Sequence, residues 1–184
     1  MRKILLFLAC LSAVCIFVEC KQEKKRVVTA EEIRRYEERN IEVNREIVKR
    51  KQDTIKQYIH ENGLKMDSSG SGLWYDIKPS GDTTPIKTGD LVKIAYNISL
   101  LNGKKCYSSD SLGLKEFKVG QGGVESGLEE AILLMHKGDT ADLLIPPHLA
   151  HGLIGDQNQI PVLAILHYNV IVKDHFSSNT QKTH

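Results

Sequence analysis

Between Leu91 and Leu100 the segment LVKIAYNISL alternates with period two, placing Ile94, Tyr96, Ile98 and Leu100 on one side and Ala95, Asn97 and Ser99 on the other. Such alternation fits a strand with one buried face and does not fit a helix. Asn102-Gly103 follows at once, a pair that tolerates the left-handed backbone of a tight hairpin. Further on, Ser126 and Glu129 have the spacing of a capping box, opening a helix with Leu128, Ala131, Ile132 and Met135 on its apolar face. Gly138 is the expected C-cap, with His136 and Lys137 near the negative end of the helix dipole. A final alternating run aligns Val162, Ala164, Leu166, Tyr168, Val170 and Val172. An antiparallel sheet wrapped on a single helix buries both apolar faces, so the expected class is α+β.

The residues ahead of this domain fall into distinct stretches. The first, MRKILLFLACLSAVCIFVEC over 1–20, has a basic start and an apolar run from Ile4 to Val18, then gives way to KQEKKR. That is the pattern of a secretory leader, too short for an ordinary spanning helix. Cys10, Cys15 and Cys20 lie within it. A Cys at the end of an apolar run resembles the acceptor of a bacterial lipoprotein signal. Cys20 fits by position and Cys15 by its small neighbours Ser12 and Ala13, and Cys20 is the expected lipidation site. An uncleaved anchor would keep the chain in the same compartment. Either way the expected location is the bacterial envelope, with the domain lipid-anchored and facing the periplasm.

A basic linker spans 21–28, and Thr29 with Glu32 forms a capping box that opens an expected amphipathic helix over 29–62. Ile41, Val48 and Ile55 recur seven apart on a narrow seam flanked by charges. That seam suits either a two-helix contact, including a homodimer, or a solvated spacer. Gly63 is a plausible C-cap, 63–72 reads as a flexible hinge, LWYDIK reads as a strand and PSGDTTP as a turn. The domain itself is expected over 73–174, and 175–184 reads as a polar tail. A net charge of +2 with interleaved signs argues against nucleic acid. No phosphate-binding loop, zinc-type Cys pair or catalytic Ser signature is present. Cys106 is the only cysteine outside the leader, so the domain holds no internal disulfide.

The order of strand, apolar helix, KGD turn, strand, HLAHG corner and closing strand resembles the FKBP-type peptidyl-prolyl cis-trans isomerases. The leader and the HLAHG corner are similar to the envelope branch associated with gliding motility. The resemblance implies a curved antiparallel sheet around one helix, with a pocket between them. It implies that Tyr96, Val124, Glu125, Leu128, His151, Ile160 and Tyr168 line that pocket, the Glu125 backbone amide receiving a substrate carbonyl. Leu128 stands where many members have tryptophan, and His151 where they have tyrosine or phenylalanine. Cys106 and Tyr107 stand where the family has phenylalanine then aspartate. Cys106 and Phe117 are the further substrate-binding candidates, and Cys106 reads as a small hydrophobe. His148, His151, His167, His175 and His184 show no metal-ligand spacing, so neither a metal nor a cofactor is expected.

The implied reaction needs neither. Turning an amide costs about 18–20 kcal/mol in lost resonance, and a pocket that holds the twisted bond better than either planar isomer lowers that barrier. Each tenfold gain needs only about 1.4 kcal/mol. Uncatalysed exchange takes about 10–100 s, slow enough to limit folding. The expected function is isomerisation of proline-containing exported or unfolded polypeptides. The alternatives are a non-catalytic chaperone or binding module of the same fold, and a structural lipoprotein of a secretion or motility apparatus.

Overall fold

A computed structural model describes residues 28–177, so Cys20, the leader, most of the linker and His184 lie outside the described residues. The described residues fall into two compact units, the first ending at Asn40 and the second beginning at Ile41. Helix α1 (Ala30–Glu61) opens in the first. Its capping box forms as the sequence spells it: the Glu32 N–H donates to Thr29 Oγ1 at 3.2 Å and the Thr29 N–H to Glu32 Oε2 at 3.0 Å. At its other end Gly63 takes φ +61, and the Leu64 N–H donates to the Ile59 carbonyl at 3.0 Å. That left-handed stop satisfies a carbonyl the last turn would otherwise leave open. No helix among the described residues is long and apolar enough to cross a membrane.

The second unit is built on one antiparallel sheet. Its strands are β1 (Asp67–Ser68), β2 (Trp74–Lys78), β3 (Leu91–Leu100), β4 (Lys105–Ser108), β5 (Lys115–Lys118), β6 (Thr140–Ile145) and β7 (Leu166–Phe176). They lie in the order β1-β2-β6-β7-β3-β4, and β5 pairs the first half of β3. Two short helices, α2 (Ser109–Leu112) and α3 (Ser126–Ile132), and a 3-10 turn (Pro147–Leu149) interrupt the strands. Val92, Ile94, Tyr96 and Ile98 are buried, as alternation along β3 requires. Register shifts at Lys93/Ile94 and Ile98/Ser99 add local twist, which helps the sheet curve.

One face of the sheet packs on α3. Leu128, Ala131, Ile132 and Met135 meet Ile94, Leu143, Leu166, Tyr168 and Val170 in a single core. Each such aliphatic side chain contributes about 1.5–3 kcal/mol on full burial. Neighbouring residues along a strand face opposite ways, so Leu144, next to Leu143, points out of the other face. There Ile55 of α1 covers it, with Ile165, Tyr58, Ile59, Met66, Trp74 and Leu101 around the contact. Gln52 fixes the alignment: its Nε2 donates to the Gly72 carbonyl and its Oε1 accepts from Trp74 Nε1, both at 2.8 Å. A Cβ at Gly72, which holds φ +95, would stand 2.5 Å from Gln52 Nε2.

Several expectations are corrected. The Ile41–Val48–Ile55 seam is not one exposed stripe, because Ile55 is fully buried on the sheet while Ile41 is 58% exposed. The 63–72 stretch is not a free hinge, since Ser68 pairs with Trp74 and Gly72 is held by Gln52. No capping box forms at Ser126. The N-cap is Glu125, Ser126 Oγ donates to the Leu149 carbonyl, and Glu129 Oε1 instead accepts from the Gly120 and Gly122 N–H groups. That glycine-rich loop has donors to satisfy, and it takes the carboxylate from the helix end. The helix stops at Ile132, so Gly138 is not its cap and His136 and Lys137 lie beyond its last turn. The final strand begins at Leu166, not Val162, which is 60% exposed beside Leu163 at φ +54. It runs on to Phe176, so His175 leaves the supposed tail and pairs with buried Asp90 at 2.9 Å.

Two predictions follow from this packing. Ile55→Ala should cost about 2–4 kcal/mol by lost burial and a cavity, whereas Ile41→Ala should leave stability within about 0.5 kcal/mol. Denaturant unfolding followed on the single tryptophan, Trp74, reads both. Asp139 is 1% exposed and accepts from the Ser80 N–H at 2.6 Å and the His136 N–H at 2.8 Å. Burial pushes its carboxyl up, but the hydrogen bonds from Ser80 and His136 outweigh burial and hold it below the usual range. A lowered native value means the stabilisation is present above the unfolded pKa of about 3.9 and disappears as pH falls through the native value. Asp139→Asn should therefore be less stable than the natural chain at neutral pH, and urea midpoints should converge as pH falls toward about 3.

Candidate active site

The pocket candidates come from separate segments and meet on the α3 side of the sheet. The β3–β7 register sets Ile98 opposite Tyr168 and Tyr96 opposite Val170, so the two tyrosines rise from adjacent strands on one face. Leu128 of α3 and Phe117 of β5 close the floor, Ile160 descends from the loop before β7, and Val124 stands half-buried at the rim. Cys106 and Tyr107 of β4 pack against the same cluster. Glu125 and His151 join it through a hydrogen-bonded pair, His151 Nε2 to Glu125 Oε1 at 3.0 Å. All ten residues singled out for the pocket are thus brought together.

The loop carrying Ile160 is held by a residue that sequence reasoning missed. Asp156 Oδ1 accepts from the Ile160 N–H at 2.7 Å and the Asn158 N–H at 2.9 Å, and Oδ2 accepts from the Tyr107 hydroxyl. Burial raises the Asp156 carboxyl, but the Tyr107 hydroxyl and these two N–H groups, with His151 nearby, hold it down on balance. The same hydrogen bond to Asp156 is the main reason the Tyr107 phenol is pushed up. The acidic group missing from position 107 is therefore present across the hydroxyl, on the loop. An Asp between a glycine and a polar run is an ordinary turn signal, and only the fold turns it toward Tyr107. Gly155 is obligatory, because a Cβ there would lie 2.3 Å from the Ile160 carbonyl oxygen.

The chemistry open to this arrangement is narrow. Burial pushes the Cys106 thiol up, with Lys104 offsetting part of the effect, and its Sγ sits 3.7 Å from the Gln159 carbonyl. That is a small hydrophobe, not a thiolate nucleophile. Burial first, and Glu125 second, push the Tyr168 phenol far up, so it stays neutral. The Glu125 carbonyl accepts from the Leu128 and Glu129 N–H groups, while its own N–H makes no hydrogen bond among the described residues. An apolar floor with one free backbone donor at its edge can desolvate and grip an amide without bonding to it. Among the other histidines of the described residues, His136 sits on Asp139, His148 on the Ser71 carbonyl, His167 beside Asp142 and Tyr58, and His175 on Asp90.

Comparison with known proteins agrees with this geometry. The family model described as FKBP-type peptidyl-prolyl cis-trans isomerase matches residues 82–173, half of the chain. FK506-binding protein 2 of Dictyostelium discoideum is 41% identical over 85 residues, covering 46% of this chain and 64% of that protein. A probable FKBP-type peptidyl-prolyl cis-trans isomerase of Haemophilus influenzae is 35% identical over 113 residues, covering 61% of this chain and 46% of the relative. The chain thus spans less than two thirds of the length of these curated relatives. Among solved structures, AtFKBP13 superposes with a TM-score of 0.57 at 30% identity, over 60% of this chain and 98% of its own. FkpA from Escherichia coli superposes with a TM-score of 0.61 at 23% identity over 97% of this chain and 84% of its own, a likeness of fold. On the family match and the fold that carries it, this chain belongs to the FKBP-type peptidyl-prolyl cis-trans isomerase family.

Proposed function

We propose that the chain catalyses cis-trans exchange of X-Pro bonds in exported or unfolded polypeptides, from a lipid-anchored position in the bacterial envelope. The observation that carries the catalytic part is that Tyr96, Phe117, Val124, Leu128, Ile160 and Tyr168 pack in one cluster, while the N–H of Glu125, next in the chain to Val124, makes no hydrogen bond among the described residues. A proline ring seated on that floor places the neighbouring carbonyl at the free donor. Loss of water around the amide disfavours its charge-separated resonance form, and the twisted bond gains contacts that the planar isomers do not. His151, Tyr107 and Cys106 form the rim and set how the ring enters.

A second reading is a binding module that grips extended chains. It is favoured by an apolar groove of about 310 Å³ lined by Ile47 and Val48 of α1 and by Pro147, Leu153 and Leu163. The anchoring part of the proposal rests on the leader sequence and Cys20. Self-association through the opening of α1 is supported by Ile33 and Tyr36, which are both exposed. Sedimentation at rising concentration reads it.

The chain should accelerate exchange of an apolar X-Pro peptide followed by NMR. Tyr168→Ala should lower that exchange by at least about tenfold. The truncation also costs about 3–5 kcal/mol of core, so near-UV dichroism must show the variant folded. Val124→Ala, at the half-buried rim, should lower exchange with less cost to the fold. A folded chain that gives no acceleration at high concentration would sink the enzyme reading in favour of the binding module.

Cys20→Ser should move the chain from the membrane fraction to the soluble fraction and abolish incorporation of labelled fatty acid. Retention of the label in Cys20→Ser with its loss in Cys15→Ser would transfer the site to Cys15. Retention in both would end the lipoprotein reading.

A further inference from the structure

The loop that carries the free backbone donor is poorly equipped to hold itself. Gly120, Gly122 and Gly123 all take left-handed backbone, and a run of glycines has much conformational freedom to lose. Glu129 Oε1 fixes the first half of the loop through the Gly120 and Gly122 N–H groups, each at 3.2 Å. In the second half the Gly123, Val124 and Glu125 N–H groups make no hydrogen bond among the described residues. Val124 packs half-buried on the core, and Ser126 Oγ donates to the Leu149 carbonyl at 3.3 Å. Between them stands the Glu125 side chain, only 7% exposed. Its Oε1 accepts from His151 Nε2 at 3.0 Å. The Tyr168 hydroxyl, kept protonated by burial and by this carboxylate, donates to it, and that hydroxyl and Oε2 are both sealed from water.

We propose that the Glu125 side chain is a positioning residue: joined to Tyr168 of β7 and to His151 of the segment after β6, it holds its own backbone N–H in place for the substrate carbonyl and fixes the His151 ring at the rim. The catalytic consequence rests on the isomerase reading, while the ordering of the loop rests on geometry alone. Burial by itself gives no reason for a carboxylate here. A leucine would fill similar space without the desolvation cost, and a buried charge often adds nothing to stability over an apolar residue. What the carboxylate adds is direction. Two charge-assisted hydrogen bonds from two different elements leave the side chain one arrangement, and the donor N–H belongs to the same residue. Placement on that scale matters, since a shift of about 1 Å in a positioned group can cost about 100-fold in rate.

The test uses the full chain with Glu125→Leu, Glu125→Gln, Tyr168→Phe and the Glu125→Leu/Tyr168→Phe double variant. Amide relaxation reads the order of residues 123–125, and NMR exchange of an apolar X-Pro peptide reads kcat/KM. In the natural chain the Val124 and Glu125 amides should have order parameters of about 0.85, falling below about 0.6 in Glu125→Leu. The same variant should lose at least about tenfold in kcat/KM. Glu125→Gln, whose amide keeps a partner for Tyr168 and His151, should hold the order and stay within about threefold of the natural rate. Tyr168→Phe keeps the ring and removes one tether, so it should loosen the loop in the natural background and change nothing further in Glu125→Leu. Ordered amides in Glu125→Leu, mobile ones in the natural chain, or additive losses in the double variant overturn the proposal. Should Glu125→Leu fail to fold, Tyr168→Phe decides: a loosened Glu125 amide supports the tether and an unchanged one overturns it. Absence of exchange by the natural chain fails the isomerase reading, and the order parameters then decide the positioning by the same criteria.

Discussion

The ten-residue antiparallel pairing of β3 with β7 is the interaction on which the other parts of the second unit depend, running from Leu91 opposite Phe176 to Leu100 opposite Leu166. Its register decides that Tyr96, Ile98, Tyr168 and Val170 share one face. A slip of β7 by one residue would send Tyr168 and Val170 to the face opposite Tyr96 and Ile98. The strands that complete the sheet are hung on this pair, β6 on the far edge of β7 and β4 and β5 on successive halves of β3. Helix α3 then has a prepared apolar surface to close on, and the loop before it and the segment that follows β6 bring Glu125 and His151 within hydrogen-bond distance.

The sheet is used on both faces, and this ties the long helix to the domain. On one side the core closes against α3, and on the other Ile55 covers Leu144 while Gln52 satisfies Trp74 and Gly72. Leu143 and Leu144 are both fully buried although they point in opposite directions. That is possible only because α1 removes the second face from water. A helix with a narrow apolar seam can therefore be a structural part of its own domain, and the seam alone does not distinguish that from a contact between chains.

The candidate site differs from the aromatic lining that the family resemblance implies at Leu128, His151, Cys106 and Tyr107. Leu128 keeps the floor apolar, and Tyr107 trades a strand carboxylate for a hydroxyl that reaches Asp156. His151 replaces an aromatic ring but is pinned by Glu125. Each exchange preserves burial while altering which polar atoms face the substrate. The Glu125 carboxylate and the Tyr168 hydroxyl are buried beside each other, and burial, with the carboxylate's charge and hydrogen bonding, keeps that phenol protonated.

What was legible in the sequence was local. The alternation of β3, the Asn102-Gly103 turn, the Thr29 capping box and the Gly63 stop are set by the backbone preferences of a few adjacent residues, and the structure has them as spelled. The order of strand, helix, turn and closing strand was enough to place the chain in its family. Tertiary structure decided everything that depends on competition for a group. Glu129 could cap its helix or bind the glycine loop, and the loop's N–H groups won because nothing else among the described residues satisfies them. Ile55 could face a partner or Leu144, His175 could trail in solvent or hydrogen-bond Asp90, and Asp156 could make an idle turn or hold Tyr107. In each case the partner lies far along the chain, and local spacing carries no information about which distant atom the fold will bring within reach.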